Sequence, residues 1–379
     1  MFVIGTDTFL VAPPLLPTLT GAFGVSPDVS GWMVSAYALG YAVFALIAGP
    51  ISDGRDRRRV LLAGLTGFIV MTALCGLAQG FWTMIFFRFL AGVSAAFVSP
   101  QIWASIPVLV KPEEVLRTMG FATAGLSIAQ CAGIPLGSRL ASGSWHLPFW
   151  AIAGLSVALW LLLARFFPPV PGRPGAGSGA KAVLDAYKAA LGAGRLRWYL
   201  LGYLVFQTGT FEAFSFIGPW FAEDFGLDVA SVGAAMAAVG AGNAVGSLLG
   251  SSLVARLGPY RSLPVGVLTM AALYCLVPLS PNLPVALTLL ALVMTAGGCV
   301  FPVFMSILQS QTETARGTVS SLSNSAMYAG TTVGGAVGGV LLGNAPGFWG
   351  VAAFAVAAHL LSLGVYAAAG AFRRQGAGG

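Results

Sequence analysis

Apolar stretches recur along the whole chain, near residues 1–19, 30–52, 60–79, 82–104, 118–138, 147–167, 198–221, 229–253, 262–280, 284–308, 318–342 and 348–371. Each is close to the ~20 residues an α-helix needs to cross a hydrocarbon layer. In hydrocarbon a backbone group must be bonded within its own structure, so these stretches are expected to be helices and not strands. Only 8% of the 379 residues are charged, against about a quarter in a soluble domain. Surface grows too fast relative to volume for a soluble fold to hide this much apolar sequence. The expected class is therefore an all-α membrane protein with twelve spans, numbered 1 to 12 below. Soluble enzyme, nucleic-acid-binding module and disordered tail are excluded.

Lysine and arginine set the orientation, because cytosolic loops are the basic ones. Arg55, Arg57, Arg58, Arg59, Lys111, Arg117, Arg165, Arg173, Lys181, Lys188, Arg195, Arg197, Arg256, Arg261, Arg316, Arg373 and Arg374 fall on one side, 17 of the 19 basic residues. The other side holds Arg139 with the acidic Asp28, Glu223, Asp224 and Asp228. Both termini are thus expected in the cytosol, with the chain multi-pass in the plasma (inner) membrane. The net charge of +7 needs no nucleic acid to explain it. The run from Met1 is long, contains Asp7 and lacks a basic leading region, so it reads as a retained span and not a cleaved signal. Cys75, Cys131, Cys275 and Cys299 are scattered within apolar runs without CxxC spacing, and His146 and His359 make no ligand pattern. No metal and no cofactor are expected.

Residues 168–197 break the pattern. Pro168, Pro169, Pro171, Gly172, Pro174, Gly175, Gly177 and Gly179 have linker composition. A short amphipathic segment follows, with Val183, Leu184, Tyr187 and Leu191 opposite Lys181, Asp185 and Lys188, suited to the membrane surface. This organisation gives a six-span bundle over 1–167, a cytosolic linker over 168–197 and a second six-span bundle over 198–379. The halves echo each other. Asp7 lies seven residues before Pro14 in span 1, and Glu212 seven before Pro219 in span 7. Gly40-Tyr41 in span 2 answers Gly242-Asn243 in span 8. Parallel halves related by an axis along the membrane normal are a transporter plan, with substrate held between them at mid-depth. The small-residue ridges Gly133/Gly137 on span 5, Gly242/Gly246/Gly250 on span 8 and Gly330/Gly334/Gly338 on span 11 allow close helix contact, and are expected at a seam that slides or rocks. Spans 3, 6, 9 and 12 are nearly pure apolar and are expected to face lipid, with His359 out of character there.

The 2–3 loop reads Gly49-Pro50-Ile51-Ser52-Asp53-Gly54-Arg55-Asp56-Arg57-Arg58. Span 4 carries Arg88-Phe89-Leu90-Ala91-Gly92, and span 5 carries Gly133-Ile134-Pro135-Leu136-Gly137-Ser138. On these residues the chain resembles the major facilitator superfamily, and within it the twelve-helix drug:proton antiporter branch. The first run is similar to that family's motif A, departing at Gly54 and Asp56. The second resembles motif B, with Ala91 where glutamine is common. The third resembles the antiporter motif C, departing at Ile134 and Ser138. The resemblance implies a cytosolic gate built from Gly49, Asp53, Arg57 and Arg58, with Glu313 before span 11 as its partner. It also implies a part for Arg88 in proton coupling and a central cavity lined by spans 1, 4, 7 and 10. A monomer is the family expectation.

Two acids fall inside spans, Asp7 and Glu212. An ionised carboxylate is disfavoured in low dielectric, so each is a candidate to exchange a proton for a cationic substrate. Asp7 is the first candidate and Glu212 the second. The remaining candidate cavity residues are aromatic or weakly polar: Tyr37, Tyr41, Gln130, Phe211, Phe214, Asn243, Gln309, Asn324 and Tyr328. Aromatic faces suit lipophilic cations. The expected function is a secondary active transporter, exporting small lipophilic or cationic compounds against protons by alternating access. The alternative is a carrier of the same fold for a metabolite, sugar, amino acid or lipid-type substrate. A membrane enzyme or sensor would need loop chemistry that the short connectors do not supply.

Overall fold

The computed structural model describes residues 1–53, 55–111, 114, 118, 125–126, 128–170, 187–188, 191–192, 194–311 and 316–372. The side chains at 12–13, 27, 49–53, 103–104, 107, 248–257, 259, 309, 316–318 and 320 fall outside that description. Ten described helices are long and apolar enough to cross a membrane. They are spans 2–4 and 6–12. Span 1 completes the set as three pieces, Phe2–Leu10, a π-helical turn Val11–Leu15 and Leu16–Phe23. Pro14 and Pro17 supply no N–H to the helical ladder, and a wide turn is a common way to absorb that loss. Span 5 is described at 118, 125–126 and 128 and continues through a second π turn, Ala129–Gly133, into Ile134–Gly143. The twelve-span, two-bundle fold is as expected.

Local chemistry sets the ends. Glycines in the left-handed region close spans 1 and 7, Gly24 (φ +61) and Gly226 (φ +64), at equivalent places in the two halves. Span 3 (Arg57–Cys75) starts where the Asp56 carboxylate accepts the Arg58 N–H at 3.0 Å, the usual N-cap. Within each half, two spans are pressed together over glycine. A Cβ on Gly40 or Gly92 would overlap the carbonyl of Phe89 or Tyr37, binding span 2 to span 4. In the second half Gly242 and Gly246 meet the carbonyls of Ala291 and Thr295 in the same way, binding span 8 to span 10. Gly246→Ala is expected to force these two helices apart and to cost about 1–3 kcal/mol, read as a lower midpoint in thermal unfolding of the detergent-solubilised protein.

These contacts correct the expected role of the glycine ridges. Gly330 and Gly334 face span 7 backbone and Gly338 faces Phe216, all within the second half. Gly133 and Gly137 face Thr6 and Leu10 of span 1, within the first. The ridges thus hold each bundle together and do not form the seam between them. The seam is made elsewhere. Ser35 donates to the Thr332 carbonyl and Ser325 to the Ala42 carbonyl, each at 2.7 Å, tying span 2 to span 11. Between them Tyr41 and Tyr328 stack with centroids 3.8 Å apart. Across spans 5 and 8, Asn243 Nδ2 donates to Gln130 Oε1 at 2.9 Å, and Gly233 packs on Ser138.

Span 12 also departs from expectation. His359 is fully buried, with Nε2 3.0 Å from Thr210 Oγ1 of span 7 and its ring beside Tyr274 and Phe206. One face of span 12 is therefore a packing face and not a lipid face. The chain leaves span 6 through Val170, whose N–H donates to Asp56 Oδ1 at 3.0 Å and whose carbonyl accepts the Arg57 N–H at 2.9 Å. Beyond it, the Tyr187 hydroxyl donates to the Leu46 carbonyl at 3.1 Å. Most of the expected amphipathic segment, including Lys181, Val183, Leu184 and Asp185, lies outside the described residues.

Candidate transport site

The two intramembrane acids occupy corresponding places and have opposite surroundings. Asp7 on span 1 is fully buried, and its Oδ2 lies 2.6 Å from Arg88 Nη1 on span 4. Arg88 is itself 1% exposed; its Nε donates to the Met33 carbonyl at 3.3 Å, and its guanidinium lies 4.5 Å from the Tyr37 ring centroid. The arginine therefore faces a carboxylate and an aromatic ring inside the bundle, as an intramembrane charge usually must. Asp7 Oδ1 has no hydrogen-bond partner among the described residues. As ions the pair sums to zero charge.

Glu212 on span 7 is also fully buried, and both of its carboxyl oxygens lack a partner among the described residues. Its side chain runs beside span 11. A Cβ added at Gly334 would stand 3.0 Å from Glu212 Cβ, and one at Gly338 would stand 3.0 Å from Glu212 Cγ. The glycines there make the room in which this acid sits. The two spans that carry the acids touch just beyond them: Phe9, two residues after Asp7, meets Phe214, two after Glu212, edge to face at 5.8 Å.

The other candidates divide. Tyr37 belongs to the Arg88 site. Tyr41, Tyr328, Gln130 and Asn243 are brought together in pairs across the seam. Phe211 and Asn324 are half-buried, and the Gln309 side chain lies outside the described residues. Pro135 and Gly137 of the span 5 motif pack where that span meets spans 8 and 1, beside Gly233 and Leu10, and Gly133 rests on Thr6. Of the gate residues, Gly49 and Asp53 are described only as helical backbone at the end of span 2, and Glu313 lies outside the described residues. Arg58 donates to the Ala164 carbonyl of span 6, and the Arg57 backbone holds Val170.

Several buried polar groups escaped the sequence reading, Thr72 and Tyr274 among them. Gln101 and Ser105, toward the end of span 4 that leads to the 4–5 loop, and Tyr203 on span 7, keep buried polar atoms without partners among the described residues. The spacing of 101 and 105 puts both on one helix face, a signal that could have singled them out. Asp56, read as a departure from the motif, proved to be the cap of span 3 and the anchor of Val170. Among the described residues no group of three His, Cys, Asp or Glu is placed to hold a metal ion.

The family model of the Major Facilitator Superfamily matches residues 1–227 and 199–376. The chain belongs to this superfamily. It is accordingly a multi-pass membrane transporter of small molecules and not an enzyme. A MFS-type transporter of Bacillus subtilis strain 168, YceJ, described as uncharacterized, is 49% identical over 366 residues, covering 97% of this chain and 93% of the relative. A chloramphenicol resistance protein of Streptomyces lividans is 27% identical over 354 residues, covering 91% of this chain and 87% of the relative. Among solved structures, a D-xylose–proton symporter superposes with a TM-score of 0.77 at 15% identity, over 95% of this chain and 94% of the other. That likeness concerns the transporter's fold.

Proposed function

We propose that this transporter is a proton-coupled antiporter that exports small lipophilic or cationic compounds, working as a monomer in the plasma membrane with both termini in the cytosol. The observation that carries the reading is the contrast between the acids. Asp7 already has its counter-ion in Arg88, whereas Glu212 is buried with neither cation nor hydrogen-bond donor among the described residues. An uncompensated buried charge is expensive. Glu212 therefore acts as the exchange site: it carries a proton in one half-cycle and a cationic substrate in the other. The Asp7–Arg88–Tyr37 group completes the coupling machinery in the first half. This order reverses the sequence-based ranking of the two acids. The aromatic seam supplies a cation–π surface, and the chloramphenicol resistance relative is in keeping with export. The gate of Gly49, Asp53, Arg57, Arg58 and Glu313 closes the cytosolic side.

A second reading has its own support. Gln101, Ser105 and Tyr203 offer buried polar atoms without partners among the described residues, which suit a neutral polar cargo such as a sugar or metabolite. Efflux from everted vesicles, measured with an imposed pH gradient and a panel of lipophilic cations, neutral drugs and sugars, separates the two. Substrate-evoked proton release with lipophilic cations is expected. Transport of sugars alone, or transport indifferent to the gradient, would overturn the antiport reading.

A further inference from the structure

An open cavity of about 740 Å³ lies where the 2–3 loop meets spans 3 and 4. Its mouth holds Arg55, Asp56 and Arg59, and its deeper wall holds Val60, Val93 and Phe97. We propose that it binds the headgroup and glycerol region of an anionic phospholipid.

The polarity of the cavity follows the polarity of a bilayer leaflet. Arg55 and Arg59 immediately flank the start of span 3, at headgroup level, while the apolar wall begins with the next residue, Val60, and continues on span 4. A soluble anion would use the arginines and gain nothing from the wall. A phospholipid uses both. The charge is correctly signed. Asp56 is the only acid in the lining among the described residues, and its Oδ1 already accepts the N–H groups of Arg58 and Val170. Arg59 is 89% exposed in its side chain and lies a loose 3.9 Å from Asp56. Arg55 is exposed as well. The floor is closed by close packing: a Cβ on Gly64 would stand 2.9 Å from Phe97 Cβ. The site lies apart from Asp7 and Glu212 and does not depend on what is transported.

The test is native mass spectrometry of the full-length protein titrated with phosphatidylglycerol or phosphatidylcholine, paired with thermal unfolding in each lipid. One phosphatidylglycerol is expected to bind in preference to phosphatidylcholine and to raise the unfolding midpoint. In Arg55→Gln/Arg59→Gln that binding should weaken about 30-fold, from roughly fivefold for each arginine near a membrane surface. Arg195→Gln/Arg197→Gln, which removes the same charge from another exposed basic stretch, should bind as the parent does. Equal binding of the two lipids would overturn the proposal. So would an equal loss in both double variants, which would mean diffuse attraction. Displacement of the lipid by millimolar inorganic phosphate would also overturn it, in favour of a free-anion site.

Discussion

Glu212→Gln is expected to abolish substrate-evoked proton release while leaving the protein folded and inserted. The amide has nearly the shape of the acid, so the space beside Gly334 and Gly338 is still filled. The carboxyl oxygens make no hydrogen bond that the substitution would break among the described residues. What disappears is the group that exchanges a proton. In everted vesicles the drug-driven pH signal should fall to the level of vesicles without the transporter. Thermal stability should stay within about 1 kcal/mol of the parent, because exchanging a group that no partner contacts removes no paired interaction. A variant that still couples proton release to substrate would end the claim for Glu212 and return the role to the first half.

Asp7→Asn should behave in the opposite way, as a folding lesion first. It leaves the Arg88 guanidinium buried without its carboxylate, and breaking a buried pair by removing one partner costs about 3–5 kcal/mol. The midpoint in thermal unfolding should drop sharply, and the yield of inserted protein with it. The double variant Asp7→Asn/Arg88→Met removes the orphaned charge and should regain most of that loss, since an apolar replacement of the whole pair is often neutral. The cycle separates the two roles of the pair. A double variant that recovers stability without transport assigns the ions to coupling. An Asp7→Asn protein as stable as the parent would show that the contact at 2.6 Å contributes nothing to the fold.

The difference between these acids was not legible in the sequence, although their correspondence was. Spacing to Pro14 and Pro219 put Asp7 and Glu212 at matching places, because a helix converts distance along the chain into depth. Spacing within one helix carries no information about which residue of another helix stands opposite. Arg88 could be read as an intramembrane charge in need of a partner, and Asp7 as another, but the contact between them joins residues 81 positions apart. The glycine ridges show the same limit. A small-residue stripe states that something approaches closely; it does not say whether the neighbour belongs to the same half or the other one. The spans were legible because the bilayer imposes a length rule on each segment separately. His359 was visible as an oddity, yet its burial against Thr210 and Tyr274 depends on three helices at once.

The docking of Val170 on the loop beside Asp56 bears on the mechanics of the connector. Tyr187, further along the connector, is held to the Leu46 carbonyl of span 2 as well. The connector is therefore fastened to the first bundle at two points, and Gly194, where span 7 begins, follows Tyr187 by only seven residues. Seven residues reach at most roughly 25 Å when fully extended, so this fastening caps how far the start of span 7 can travel from the first bundle.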